Sequence, residues 1–201
     1  MCDFQVTRIV NDILQSCTYV IDFKDKQGVY LVDCGDSRPI FDYLKRSKKI
    51  VKGVILTHCH YDHIYGLNDI ITAFPDISVI ASDKTFVGLE NDDLNMAYLY
   101  TDEDYSVILN PKSKITITTE ATISINDNKL YCILTPGHDV DCTTYVLSNC
   151  IFTGDSYNPS AEVFLKWHHS NVEQSVKSVE KIHSLIKNRN LNVYPGHYIG
   201  K

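Results

Sequence analysis

No stretch of this sequence approaches the roughly 18 to 20 consecutive apolar residues that a bilayer-spanning helix requires, so a helical membrane protein is excluded. The N-terminus, Met1-Cys2-Asp3-Phe4-Gln5, has no basic stretch followed by an apolar block, and no secretory signal is visible. Dense positive charge is also missing. The formal net charge is −6, and the richest basic stretch, Lys45-Arg46 with Lys48-Lys49, reads as a solvated helix end. A nucleic-acid partner would call for a broader positive surface. No Cys-x-x-Cys pair occurs; the seven cysteines (2, 17, 34, 59, 132, 142 and 150) are odd in number and scattered. They read as reduced, mostly buried thiols, and with the missing signal they point to the cytoplasm. No repeat and no low-complexity linker divides the chain. Its 201 residues suffice for one sizeable core, expected as a single domain over 1–201.

What is present is a chain rich in strands early and again in the middle. Gln5 to Val10, Cys17 to Phe23 and Gly28 to Val32 are apolar or alternating runs separated by turn residues, which predicts successive hairpins. Asp36-Ser37 before Pro39 starts a helix expected to run to about Ser47. Ile50 to Leu56 is a strand, Gly66 to Phe74 a short helix stopped by Pro75, and Ile77 to Ala81 another strand. Asp83 to about Tyr100 reads as one or two short helices, with Glu90 to Asp93 and Asp102 to Asp104 as solvated loops or caps. Strands follow at 114–118, 121–125 and 129–135, with Asn126-Asp127-Asn128 as a turn, then at 144–147 and 150–152. Ser170-x-x-Glu173 reads as a capping box, and Val172, Val176, Val179, Ile182 and Ile186 form the apolar stripe of a helix ending near Lys187. A short strand over 191–194 closes the pattern. Two β-rich blocks, each followed by helices, predict sheets packed face to face with helices outside. Strand order does not follow from pattern.

The chemistry concentrates in Thr57-His58-Cys59-His60-Tyr61-Asp62-His63, directly after the apolar run Val54-Ile55-Leu56. Three protonated imidazoles so close would repel one another, whereas neutral imidazoles and an ionised carboxylate around a divalent cation satisfy each other. Three later points repeat the grammar of a strand end, a turn residue and a ligand-type side chain. These are Leu134-Thr135-Pro136-Gly137-His138, Phe152-Thr153-Gly154-Asp155 and Val193-Tyr194-Pro195-Gly196-His197. Five imidazoles and two carboxylates are too many for one tetrahedral ion with an open position, and suit two ions sharing a carboxylate. Zinc is the first expectation; iron and manganese also accept this donor set.

These motifs, T-H-x-H-x-D-H at 57–63, P-G-H at 136–138 and again at 195–197, and T-G-D at 153–155, resemble those of the metallo-β-lactamase fold superfamily and its glyoxalase II-like hydrolases. The resemblance implies an α+β fold, a four-layer αββα sandwich of two mixed β-sheets flanked by helices, with the site along one edge. It implies that His58, His60 and His138 hold the first metal. Asp62, His63 and His197 hold the second, and Asp155 bridges both. The implied activity is hydrolysis of a small thioester, ester or lactone by a metal-bridging hydroxide, with Asp62 orienting the nucleophile or accepting its proton. A persulfide dioxygenase using one iron is the alternative of a different enzyme class, and a non-catalytic metal-binding module the third. Full glyoxalase II enzymes continue into a glutathione-binding helical domain where this chain stops, at Lys201, so specificity for S-lactoylglutathione is not expected. A periplasmic role against β-lactams is disfavoured by the missing signal.

Seven further positions invite a function and also have a plainer reading. Where the family pattern carries a small hydroxyl residue and then a glycine after His138, this chain has Asp139-Val140-Asp141. These aspartates read as a solvated loop or local caps, or as an acidic pocket wall that disfavours anionic substrates. Tyr157 is a candidate hydrogen-bond donor to a substrate carbonyl, as in related lactonases, or a packed loop residue. Trp167 is either a loop anchor or the wall of a substrate groove. His183 reads as a hydrogen-bonded core histidine, Cys59 as packing, and Asp33 as support for a ligand histidine.

Overall fold

Three cores, not one, account for the way the strands and helices stack. The computed structural model describes residues 4–24, 26–103, 105–107 and 113–199; Met1, Cys2, Asp3, Asp104 and Lys201, named above, lie outside them. The first half forms β1 (Phe4–Val10), β2 (Cys17–Phe23), β3 (Gly28–Val32), α1 (Ser37–Ser47), β4 (Ile50–Ile55), α2 (Leu67–Ala73), β5 (Ser78–Ser82), α3 (Asp83–Leu89), α4 (Asp92–Asn95) and β6 (Lys114–Ile117). The second forms β7 (Ala121–Ile125), β8 (Asn128–Leu134), β9 (Thr143–Leu147), β10 (Cys150–Gly154), α5 (Val172–Arg189) and β11 (Asn192–Pro195). Strands β1 to β6 make a six-stranded sheet in sequence order, and the second sheet runs β11-β10-β9-β8-β7. Both are mixed. β1, β2 and β3 pair antiparallel, as the hairpin signals predict, while β3 to β6 pair parallel through helical crossovers. In the second sheet only the β10–β11 pair is parallel.

One core, including Val20, Leu31, Val54 and Val79, lies with Ile40 and Leu44 of α1, Ile70 of α2 and Phe86 of α3 on the outer face of the first sheet. The second core joins the sheets: Tyr19, Ile21, Val32, Ile55 and Ile80 meet Leu130, Cys132, Tyr145, Leu147 and Phe152. The third packs Ile133, Val146 and Ile151 against Ile182 of α5. Helix, sheet, sheet, helix is the expected αββα order. β2, with cores on both sides, is buried at six of its seven positions. The six described cysteines are all free thiols and buried. No helix among the described residues is long and apolar enough to cross a membrane.

Helix ends follow their caps. Asp36 accepts from the Arg38 amide to start α1, and left-handed Lys48 ends it behind Lys45 and Arg46. α5 departs from expectation at two points. Its cap is Asn171, whose side chain accepts from the Gln174 amide at 2.9 Å, because Ser170 Oγ is engaged with the His138 carbonyl at 2.7 Å. Its buried face is Ser175, Ser178 and Ile182, whereas Val172 and Val176 are 64% and 52% exposed. The reason is steric. A Cβ built on Gly137 would lie 2.4 Å from Ser175 Cα, so the helix start touches backbone and only small side chains fit beneath it. His183 is likewise exposed on α5 rather than a core histidine, its ring edge-on to Tyr157 at 4.8 Å between centroids.

Candidate metal centre

The four motif segments all leave strands at one edge of the sandwich. β4 of the first sheet runs into 57–63, and β8, β10 and β11 of the second run into His138, Asp155 and His197. Two glycines permit the convergence. Gly154 takes φ +49° with Thr57 Oγ1 only 2.6 Å from where a Cβ would be, and a Cβ on Gly196 would sit 2.1 Å from Asp155 Oδ1. The side chains meet in three overlapping sets, within each of which the donor atoms lie within 4.8 Å of one another. The sets are His58 with His60 and His138, His58 with His63 and Asp155, and Asp62 with His63 and His197. All seven expected ligand side chains are therefore brought together.

Each of the five imidazoles turns one ring nitrogen to an oxygen. Nδ1 of His138 faces the Phe164 carbonyl at 2.8 Å, and Nδ1 of His197 the Leu14 carbonyl at 3.0 Å. Nδ1 of His63 faces Asp33 Oδ2 at 3.0 Å, Nε2 of His60 faces Asp139 Oδ2 at 3.2 Å, and Nδ1 of His58 faces Thr57 Oγ1 at 3.0 Å. Thr57 Oγ1 gives its own hydrogen to Asp33 Oδ2 at 2.8 Å, so it is the acceptor for His58. In the neutral tautomers these partners assign, every inward nitrogen is a bare lone pair. Two such lone pairs face each other where His138 Nε2 lies 3.1 Å from His60 Nδ1, and His63 Nε2, which carries a proton in the metal-free site, lies 3.3 Å from His197 Nε2.

A divalent cation answers that crowding. Bonds of about 2.0 to 2.1 Å at tetrahedral angles set ligand atoms about 3.3 to 3.4 Å apart. Asp155 reaches both sets, with Oδ2 3.4 Å from His138 Nε2 and 3.1 Å from His197 Nε2, and Oδ1 3.5 Å from His63 Nε2. Asp62 Oδ2 stands 3.4 Å from both His63 Nε2 and His197 Nε2. His58 Nε2, Asp62 Oδ2 and Asp155 Oδ1 are buried with no hydrogen-bond partner, a cost a protein carries when something else binds those atoms. The donor set fits a metal pair.

Electrostatics divide the cluster. Burial, reinforced by neighbouring imidazoles, holds His58 well below the usual histidine value, and burial lowers His138 too. Burial also works against charging His63, but Asp62, Asp155 and Asp33 outweigh it and raise it to about 10. His197 is raised the same way, chiefly by Asp155 against burial. Burial would raise Asp155, yet His197 and His63 hold it well below the ordinary carboxylate range.

Asp139 keeps a local contact, its Oδ1 accepting the Val140 amide, while its Oδ2 faces His60, and Asp141 matches neither reading offered by the sequence. Both are buried, at 4% and 3% exposure, and neither lines the cavity beside the cluster. Asp139 orients His60, and Asp141 Oδ2 accepts the Cys59 amide at 2.8 Å, bracing the 57–63 loop from across the sandwich. Asp33 supports two imidazoles rather than one, His63 directly and His58 through Thr57. It does so from a left-handed backbone at φ 58°. Tyr157 is the one expected site residue that does not join. The chain turns at Gly154, and the Tyr157 ring comes to line a separate cavity of about 390 Å³ beside α5. Trp167 does reach the site, edge-on to His60 at 6.3 Å between centroids. The cavity over the cluster, about 540 Å³, is also lined by Leu14, Tyr100, Phe164, Tyr198 and Ile199, which no motif flagged.

An αββα sandwich with this edge cluster defines a class, and sequence comparison agrees. The family model described as the metallo-beta-lactamase superfamily matches residues 11–197, and the chain belongs to that family. The probable polyketide biosynthesis zinc-dependent hydrolase PksB of Bacillus subtilis is 28% identical over 92% of this chain and 73% of its own length. A hydroxyacylglutathione hydrolase of Pseudoalteromonas translucida is 28% identical over 71% of this chain, a match spanning 49% of the relative. Among solved structures, the BLEG-1 B3 metallo-beta-lactamase superposes with a TM-score of 0.85 at 23% identity, over 97% of this chain and 92% of that one.

Proposed function

We propose that the chain is a dinuclear metal-dependent hydrolase, glyoxalase II-like in its chemistry, that cleaves a small thioester, ester or lactone. The observation that carries this is the convergence of seven donor side chains with three buried, unpartnered donor atoms. His58, His60 and His138 would hold one ion, Asp62, His63 and His197 the other, with Asp155 between them. Zinc is favoured by the nitrogen-rich first triad. Two divalent ions, when bound, supply Lewis acidity that brings the pKa of a shared water toward neutrality and stabilises a developing oxyanion.

The chain's own residues set the geometry. Asp33, Asp139 and the carbonyls of Leu14 and Phe164 keep each imidazole in the tautomer that turns a lone pair inward. The Asp62 carboxylate, with one oxygen aimed into the cluster, orients the attacking water and takes its proton as the water oxygen adds to the carbonyl carbon. Collapse of the tetrahedral adduct expels the thiolate or alkoxide. The same reading makes the chain a single domain over 1–201 with a small-molecule substrate, no nucleic-acid or membrane partner, and a cytoplasmic location suited to its buried free thiols.

The test is metal analysis of protein purified without added metal, joined to turnover of thioesters and lactones in the same sample. Two zinc or manganese ions per chain with turnover, abolished by His60→Ala, is the expected result. One iron per chain with sulfite formed from glutathione persulfide would overturn it.

A further inference from the structure

The cavity over the cluster carries few charged side chains among its described lining residues. Of its wall, Leu14, Tyr100, Phe164, Trp167, Tyr198 and Ile199 are large and apolar or aromatic. None of the described lining residues is Lys or Arg, and apart from Asp62 and Asp155 of the cluster the only acid is Glu162. Arg8 stacks its guanidinium on the Tyr198 ring at 4.4 Å but does not itself line the cavity. Leu14, Phe164 and Ile199 are 59%, 47% and 44% exposed, a concentration of wet apolar surface around one opening that marks a place where an apolar ligand is received. Aspartates 139 and 141, which could have supplied charge, are turned inward to His60 and Cys59.

We propose that this site takes neutral, apolar acyl groups and discriminates against acyl or leaving groups that carry a carboxylate. The inference rests on the hydrolase reading above and specifies its substrate class. The reacting carbonyl sits at the cluster while the acyl substituent lies along Phe164, Trp167 and Tyr100. Among the described lining residues, a carboxylate placed along that wall finds no Lys or Arg to replace the water it loses, and Glu162 is of like charge. A methylene placed there gains what burial of a methylene gives, about a fourfold rise in affinity for each one that is covered.

Trp167, the sole tryptophan of the chain, allows binding and turnover to be read separately. Zinc-loaded protein is titrated with non-hydrolysable S-alkyl thioethers of N-acetylcysteamine from ethyl to octyl, following Trp167 fluorescence, with S-hexylglutathione as the carboxylate-bearing comparison. Turnover is measured on the matching acyl thioesters of N-acetylcysteamine, with succinyl-N-acetylcysteamine and S-lactoylglutathione alongside. Affinity and kcat/KM are expected to rise about threefold to fourfold per methylene until the cavity is filled, and the anionic compounds to fall at least tenfold below neutral ones of equal length. Glu162→Lys is expected to narrow that gap by about twofold to fivefold, the worth of one exposed charge pair. A flat length series in both readouts, or anionic thioesters handled as well as neutral ones, overturns the inference and leaves a hydrolase of other specificity. Length-dependent fluorescence binding with no thioester turnover supports the apolar pocket and overturns the hydrolase reading instead.

Discussion

Replacing Asp33 by Asn keeps the size and shape of the side chain, yet it should weaken both metal positions. Asp33 Oδ1 accepts the Thr57 amide at 2.8 Å and Oδ2 accepts both Thr57 Oγ1 at 2.8 Å and His63 Nδ1 at 3.0 Å. Asn tolerates the left-handed backbone at this position, so the fold has no new steric conflict. Its oxygen can stay on the Thr57 amide, which leaves the NH2 group facing His63 Nδ1–H and the Thr57 hydroxyl. Two donors cannot face each other. His63 must then carry its hydrogen on Nε2, and Thr57 Oγ1, now an acceptor from Asn, turns its hydrogen to His58 Nδ1, which moves the His58 hydrogen to Nε2 as well. Both displaced hydrogens sit on the atoms that would bond the ions. Supporting groups of this kind are worth about 10- to 100-fold in metal affinity. At about 1.4 kcal/mol per factor of ten, that is about 1.4 to 2.8 kcal/mol at each position. Competition against a chromogenic chelator measures the affinities, and long-range nitrogen–proton NMR of the imidazoles reports the tautomers. Affinities within threefold of the parent at both positions, in a variant that melts normally, would refute the tautomer argument.

Three other outcomes are expected. Asp139→Asn should cost about tenfold in metal affinity, the low end for a supporting residue, because the Asn oxygen can turn to His60 Nε2 at the expense of the bond Oδ1 now accepts from the Val140 amide; chelator competition that shows no loss would remove Asp139 from the site. In metal-free protein the raised His63 contributes stability that is fully present below about pH 6.5 and is lost as pH rises through about 10. Thermal and urea melts in EDTA should therefore lose about 1.4 kcal/mol per pH unit per proton between pH 6.5 and 8.5, while metal-loaded protein, with that proton displaced, stays flatter; equal slopes would count against His63 as a ligand. Tyr157→Phe should change kcat/KM by less than about twofold, since its ring lies against His183 away from the cluster; a tenfold loss would place its hydroxyl in the reaction.

The parts of this molecule that could be read in its sequence are those whose partners are near in the chain or whose chemistry is unmistakable. The hairpins of β1 to β3, the Asn126-Asp127 turn and the strand-end histidines are of this kind. Asn126 and Asp127 both have positive φ, the conformation of a tight hairpin turn, and both residue types accept it. The failures have long-range causes. Asp139 and Asp141 look like loop residues until His60 and Cys59, 79 and 82 positions away, are brought beside them. α5 carries a regular apolar stripe, but its burial is decided by closeness to Gly137, and closeness selects serine over valine. Hydrophobic pattern measures only the first of those two quantities. The cavity wall drew no notice because Leu14, Tyr100, Phe164 and Ile199 belong to separate loops with no shared spacing.

The proposed ligand set also has a mechanical meaning. Each triad takes two side chains from the loop after β4 and one from the second sheet, His138 in one case and His197 in the other. An ion in either position would thus cross-link the two halves of the sandwich, closing a span of chain from near residue 60 to His138 in one case and to His197 in the other. Filling the pair would fasten the two sheets to each other at the edge where the motif loops meet. Through mass action, the hold of one half on the other would then follow the free metal concentration around the protein.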